Sequence, residues 1–297
     1  MVGRLIHRRI SLKVLVTGAK GQLGYDTTEL LIQAGHEVIP TDIEEMDITQ
    51  FSQVSKVIGD IQPEFIVHCA AIARPDLCEE NLELAYQVNV LGTRNVAVAC
   101  EKLKAAMIYI STDYVFDGTK NKDYLEYDRP NPLNEYGVTK LAGEQLVQSL
   151  VKRFFVVRTA WLYGAKGQKN FVKTMLQLGQ TKKEIRVVND QFGTPTHTRD
   201  LAAQLTRLIG KECYGIYHGS NQGSCTWYGF AKKIFEYAGL SHINVIPITT
   251  EESQPKINRP RYSVMRNFSF ELEKLDCMKS WEETLKDYFK IVGEQRS

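Results

Sequence analysis

Short β-branched runs alternate with longer amphipathic stretches through the first half of the chain. LKVLVT (Leu12 to Thr17), EVIPT (Glu37 to Thr41), FIVHC (Phe65 to Cys69), MIYIS (Met107 to Ser111) and FFVVRT (Phe154 to Thr159) are too short and too β-rich for helices, and they predict five strands. Between the third and fourth, apolar residues recur at Leu84, Val88, Leu91, Val96, Ala99, Cys100 and Leu103, in steps of three, four and five that predict one helical face. A second helix is predicted from about Glu135 to Val151. Strand, helix and strand in regular order predict an α/β fold, a Rossmann-like doubly wound parallel sheet with right-handed crossovers.

After about residue 162 the rhythm loosens. GAKGQKN, NDQFGTPTHT, GSNQGS and TEESQPKINRPRYS are loop-rich, and they alternate with predicted helices at Trp227 to Ala238 and Trp281 to Ile291. The pattern predicts a smaller C-terminal lobe closing over the carboxyl ends of the strands, where open α/β sheets take their ligands. Thr198 to Ile209 suits a further helix returning to the main sheet, so the two parts interleave.

Composition narrows the class. A chain of 297 residues that is 43% hydrophobic and 24% charged is a folded globular protein, which excludes general disorder. Lys and Arg number 37 against 35 Asp and Glu, and a net charge of +2 leaves no electrostatic footprint for a nucleic-acid or membrane partner. No run approaches the ~20 apolar residues of a membrane span. The opening MVGRLIHRRISL carries Arg4, Arg8 and Arg9 without the apolar centre of a secretory signal. Residues 1–12 are therefore expected to form an exposed arm, and the protein is expected in the cytoplasm. Its six cysteines form no CxxC pair and no two histidines sit at HxxxH spacing, so neither a zinc site nor a disulfide framework is expected.

Gly18-Ala-Lys-Gly21-Gln22-Leu23-Gly24 follows the first strand and opens a helix. Glycine here permits a tight turn and lets the backbone approach a pyrophosphate, whose charge the helix amino end then faces. An ordinary βα turn built on glycine is the plainer alternative. Asp42 ends the second strand 18 residues beyond Gly24, where a carboxylate accepts from ribose hydroxyls and repels a 2′-phosphate. NADH is the expected cofactor, and NADPH stays open because Lys13, Lys20 or an arginine can neutralise that phosphate. Asp47-Ile48 and the Ala70-Ala71-Ile72-Ala73 segment are expected to approach the adenine and the ribose-phosphate bridge. The chain then divides into a dinucleotide-binding domain (13–162 plus about 186–212) and a substrate-binding lobe (163–185 and 213–297).

Tyr136 and Lys140 form a Y-x-x-x-K pair, a pattern that a chain with 14 tyrosines offers about once by chance. Tyr228 and Lys232 form a second. Only the first lies 25 residues beyond a strand end, Ser111-Thr112-Asp113-Tyr114, that carries a hydroxyl. On a helix such residues share a face about 5–6 Å apart. An ammonium so near a phenol is expected to lower its pKa and suit it to proton exchange with a sugar oxygen, while Thr112 orients that oxygen. A surface Tyr–Lys contact is the bland reading.

In order along the chain, GAKGQLG, DIT, VHCAA, STDYVFDG, NEYGVTKLAGE, RTAWLYG, NFVKTML, NDQFGTPT and RPRYSV resemble the motifs of the dTDP-4-dehydrorhamnose reductases, which are extended short-chain dehydrogenase/reductases. The resemblance covers nearly everything from Lys13 onward. It implies NAD(P)H-dependent reduction of the C4 ketone of the nucleotide sugar dTDP-4-dehydro-L-rhamnose, by a monomer or homodimer. It also implies cofactor contacts at Gly21-Gln22-Leu23, Asp42, Asp47-Ile48 and Ala71-Ile72-Ala73, together with Tyr136 and Lys140. Tyr136 matches the proton donor, Lys140 its electrostatic partner and Thr112 the carbonyl-orienting hydroxyl. Asp113, Tyr114 and Trp161 match positions lining the sugar pocket. Some members bind Mg2+ through glutamates at a dimer interface; Asp26 falls near one such position, but the set is incomplete here and no metal is assigned.

The chain departs from the family after VHCAA, where an aromatic or His, a Thr and a Val-Asp pair give way to Ile72-Ala73-Arg74-Pro75-Asp76. Two other readings stay open at this point. One is a nucleotide-sugar epimerase or dehydratase with retained NAD, against which stands Tyr114, in the place where dehydratases carry a Glu. The other is a non-catalytic cofactor-binding subunit, since the regulatory β subunit of methionine adenosyltransferase shares the Arg-Pro-Asp.

Overall fold

In the computed structural model, which describes residues 11–167 and 169–294, the β-branched runs form β1 (Lys13–Thr17), β2 (Glu37–Thr41), β3 (Phe65–His68), β4 (Ala106–Thr112) and β5 (Phe154–Thr159). The expected arm at 1–12 lies outside the described residues except for its last two. An unpredicted strand, Gly215–His218, joins beyond β5. The six strands run in the order Gly215–His218, β5, β4, β3, β1, β2, and every neighbouring pair is parallel. β2 borders the sheet and carries Pro40, a residue without an amide donor that a central strand would not tolerate. The winding changes direction between β1 and β3, which opens a crevice at their carboxyl ends.

Among the described residues of the first half, six helices follow these strands: α1 (Gln22–Gln33), α2 (Phe51–Ile61), α3 (Pro75–Glu80), α4 (Leu82–Tyr86), α5 (Thr93–Lys102) and α6 (Glu135–Leu150). Side chains alternate across a strand, so Val14 and Val16 face one layer while Leu15 faces the other. On the first face, α1 and the helix Thr198–Thr206 pack through Leu23, Leu31, Leu201 and Leu205 onto Val14, Val16, Val67 and Ile108. On the second, α2, α5 and α6 bring Val54, Val96 and Val147 onto Leu15, Ile66 and Met107. Burial on both sides is why the strands read as nearly continuous hydrophobic runs.

The stretch predicted as one helical face from Leu84 to Leu103 is broken. α4 and α5 are joined by a π-helical turn, Gln87–Gly92, and Asn81 caps α4 by accepting from the Leu84 amide at 3.1 Å. The step of five from Leu91 to Val96 spans the end of this wider turn. As a result Leu91 is 42% exposed, while Asn89 points inward and is fully buried. An extra residue in one turn rotates everything after it, and such turns gather at functional sites.

The second lobe has its own core, in which the helices Phe171–Gly179, Trp227–Tyr237 and Trp281–Glu294 surround Tyr163, Phe230, Phe235 and Leu285. Strand Glu184–Val188 pairs in parallel with Asn244–Ile248, away from the central sheet. Among the described residues no helix is long and apolar enough to cross a membrane.

Candidate active site

A cavity of about 790 Å³ lies at the carboxyl ends of β1, β3, β4 and β5, beneath the second lobe. On one side it is lined by Gly18, Gly21, Gln22, Leu23 and Gly24, with Ala71 and Ala73 across from them. Thr112, Asp113, Tyr114, Tyr136, Lys140 and Trp161 line the other side. Asp42, Asp47, Ile48 and Ile72 stand outside this lining. Asp42 accepts from the backbone amides of Lys20 (2.8 Å) and Ile43 (2.9 Å) at the rim of the glycine turn. Asp47 holds the Thr49 amide and hydroxyl, Ile48 is buried in the core, and the Ile72 backbone is held by Asn89.

The glycine turn fits a pyrophosphate. Gly18 adopts φ +65°, and a Cβ there would lie 2.7 Å from the Ala70 nitrogen; one on Gly24 would lie 2.1 Å from the Gly18 oxygen. Turn, helix and the end of β3 therefore close together only without side chains. Gly21 is the N-cap of α1 and supplies no side-chain cap, so the first amides of the helix are left to an anion. The Lys20 ammonium is engaged by Glu44 at 2.8 Å and Glu45 at 3.7 Å, which makes the rim beside Asp42 acidic.

Helix α6 begins behind Asn134, whose side chain accepts from the Gly137 amide at 3.0 Å. Tyr136, Lys140 and Glu144 follow at intervals of one turn, on one face. Glu144 is fully buried and accepts from Arg158 Nε (2.9 Å) and Nη2 (2.7 Å) on β5 and from Ser111 Oγ (2.5 Å) on β4. This bidentate pair pins α6 to the sheet and thereby fixes the two side chains above it. Thr112 donates to Asp113 Oδ1 at 3.1 Å, accepts from the Tyr114 amide at 3.2 Å, and lines the cavity together with Tyr136. The other Asp113 oxygen accepts from Ser263 of the second lobe at 2.6 Å, and burial pushes this carboxyl up to about 6.

The expected net lowering of the Tyr136 phenol by Lys140 is not found. Burial pushes the Tyr136 phenol above its ordinary value, and burial likewise pushes Lys140 down to about 7, with the Glu144 carboxylate opposing. For each group the loss of hydration on burial is the largest influence. The ammonium is instead directed onto the Tyr109 ring, 4.1 Å from its centre.

Several lining residues escaped the sequence reading. Trp227 stacks on Trp161 with ring centres 3.5 Å apart and planes 8° from parallel. Trp161 itself adopts φ +46°, and a Cβ on Gly193 would lie 2.3 Å from its indole. A left-handed bulky residue is costly, and it is held here by close packing. Lys169, Arg186, Lys256 and Arg259 add positive charge to the cavity. Two of them reach α3: Arg259 to Asp76 at 3.6 Å and Lys256 to Glu80 at 3.1 Å. Arg74 and Asp76 thus belong to the cavity wall, and Pro75 opens the helix that carries Asp76. Arg259 lies within the RPRYSV segment, the one signal that pointed to it. The second Tyr–Lys pair, Tyr228 and Lys232, is outside the lining, its ammonium 5.6 Å from the ring centre. Asp26 is buried and accepts from Thr198.

The family described as RmlD substrate binding domain matches residues 12–293. The crystal structure of a dTDP-4-dehydrorhamnose reductase from Bacillus anthracis in complex with NADP is similar at 46% identity and a TM-score of 0.91, covering 94% of this chain and 99% of that one. The spore coat polysaccharide biosynthesis protein SpsK of Bacillus subtilis is 42% identical over 93% of this chain and 96% of its own length. A dTDP-4-keto-6-deoxy-D-glucose reductase from Streptomyces niveus is 37% identical over 95% of this chain and 98% of its own length.

Proposed function

This chain belongs to the family of the RmlD substrate binding domain, and from that membership we propose that it reduces the C4 ketone of dTDP-4-dehydro-L-rhamnose to dTDP-L-rhamnose with NADH or NADPH. One observation carries the reading: the uncapped helix end behind the Gly18–Gly24 turn opens into the same cavity as Thr112, Tyr136 and Lys140. When bound, the reduced nicotinamide supplies the hydride for the ketone carbon. Tyr136 gives its phenolic proton to the ketone oxygen. Thr112 turns its hydroxyl from Asp113 to that oxygen and holds it against Tyr136. The Lys140 cation offsets the charge left on the phenolate. Trp161 and Trp227 form a flat wall for the sugar or base, and Lys169, Arg186, Lys256 and Arg259 are the counter-charges for a diphosphate.

Asp42, with Glu44 and Glu45 beside it, supports NADH; the NADP-bound relative supports testing NADPH alongside. We divide the chain into a dinucleotide-binding domain around the central sheet and a substrate-binding lobe around the second core, in a cytoplasmic monomer or homodimer. The test is to follow NADH absorbance with dTDP-4-dehydro-L-rhamnose supplied and to identify the product. The Streptomyces niveus relative supports a second substrate, dTDP-4-keto-6-deoxy-D-glucose, to be assayed in parallel. Consumption of NADH with a dTDP-rhamnose product sustains the reading. Cofactor binding without consumption on either sugar overturns it in favour of a non-catalytic subunit.

A further inference from the structure

His68, the last residue of β3, is buried beneath the cofactor side of the cavity and takes no part in the chemistry above. Its Nδ1 lies 2.7 Å from Thr17 Oγ1 at the end of β1, and its Nε2 lies 3.2 Å from Thr93 Oγ1 at the start of α5. Both hydroxyls have other bonds. Thr17 Oγ1 accepts from the Ala70 amide at 3.2 Å, and Thr93 donates to the Asn89 carbonyl in the π-helical turn at 2.8 Å.

Proton counting then fixes the direction of the chain. A hydroxyl has one proton, and that of Thr93 goes to Asn89, so Thr93 accepts from His68 Nε2–H. Nδ1 is left as an acceptor, and it takes the Thr17 proton, for which there is no other acceptor among the described residues. The assigned form is the neutral Nε2–H tautomer. A second proton on Nδ1 would turn the Thr17 hydroxyl away from its partner. Burial, with the Lys140 charge beyond the Tyr109 ring on which His68 stacks, holds His68 down to about 3.

The two ends of this chain are the two walls of the expected cofactor site. Thr17 precedes Gly18, where a Cβ would collide with the Ala70 backbone. Asn89, at the far end, accepts from the Ile72 amide at 2.8 Å and donates to the Ile72 carbonyl at 3.2 Å. It also donates to Thr139 at 3.2 Å, beside Lys140. We propose that His68 is a positioning residue for the dinucleotide, setting the separation between the glycine turn and the Ala71–Ala73 segment through Thr17 on one side and Thr93 and Asn89 on the other. The inference rests on the reading of this cavity as a nicotinamide cofactor site.

The test measures NADH affinity directly, by titration of the full-length protein without sugar, in the parent, in His68→Phe and in Thr93→Val. His68→Phe keeps the ring on Tyr109 and deletes both hydrogen bonds; Thr93→Val removes the Nε2–H acceptor at nearly constant volume. Each is expected to weaken NADH binding about tenfold while the KM for the nucleotide sugar moves less than twofold. His68→Asn, which restores an acceptor toward Thr17, is expected to recover part of that loss. Nitrogen NMR of the parent is expected to show His68 protonated at Nε2 alone down to pH 5. Parent-like NADH affinity in both His68→Phe and Thr93→Val overturns the proposal, as does a proton on Nδ1. A parent protein that binds no NADH or NADPH instead overturns the functional reading, and the inference with it.

Discussion

The Tyr109 ring holds Lys140 at both ends: the ammonium lies 4.1 Å from the ring centre, and the Tyr109 hydroxyl donates to the Lys140 carbonyl at 3.2 Å. A cation over an aromatic face keeps some of the stabilisation it loses on leaving water. This explains how a lysine that is 3% exposed can be tolerated before any ligand arrives. Tyr109→Leu removes the face while Tyr109→Phe keeps it, so Tyr109→Leu is expected to lower kcat about tenfold more than Tyr109→Phe. Equal effects of the two substitutions in steady-state assays would show that the ring face does not matter to Lys140.

Lys140 also gives the ligand-free protein a pH signature. Its proton is held less tightly in the folded state, at about 7, than at the ordinary lysine value near 10.5. Between those pH values the unfolded chain binds the extra proton, so this site makes stability rise with pH from about 7 toward 10, and its penalty is full below 7. Tm measured from pH 6.5 to 9.5 is expected to rise more steeply in the parent than in Lys140→Met. Parallel profiles would remove the depressed lysine.

Removing the phenol hydroxyl should affect turnover and not cofactor capture. Tyr136→Phe is expected to reduce kcat by about 10²-fold or more, the scale of lost general acid catalysis, with NADH affinity within about threefold of the parent. Near-normal turnover would take Tyr136 out of the proton transfer.

Asp42 is reachable by one substitution. Asp42→Ala is expected to shift the ratio of kcat/KM values for NADPH over NADH upward about tenfold, since a carboxylate next to a 2′-phosphate is repulsive. An unchanged ratio would mean that the ribose is read elsewhere. Glu44 and Glu45 on the same rim are the first places to look.

The Arg158–Glu144 pair is the structural weak point beneath the site. Arg158→Leu strips the buried Glu144 carboxylate of its bidentate partner, leaving it the Ser111 hydroxyl and the charge of Lys140, and is expected to cost about 3 kcal/mol or more in unfolding free energy. Denaturant titration checks this. A loss below about 1 kcal/mol would mean that the pair with Arg158 is not what holds α6 to the sheet.

Much of this was readable in the chain, for identifiable reasons. Val14, Ile66 and Val156 lie in strands buried on both faces, so a bare hydrophobic run marked them. The glycine spacing and the Tyr136–Lys140 interval encode local geometry, and both lie on the cavity. Long-range partners were not readable. Nothing at Trp227 announces Trp161, from which it is 66 residues away, and nothing at Tyr109 announces the ammonium it receives. The break at Asn89 left a trace, the step of five between Leu91 and Val96, but a periodicity count treats such a step as noise. The sign of the Tyr136 shift depended on how deeply the phenol is buried, a property of the closed fold and not of i to i+4 spacing.

Pro40 sits in the strand that forms the open border of the main sheet. With no amide hydrogen at that point, the border offers an incoming chain an interrupted ladder, and the ion pair from Lys13 to Glu37 (3.6 Å) puts charge at its other end. One molecule of this protein is thus poorly suited to template strand addition by the next, which protects a sheet that lacks a further strand to cover its flank.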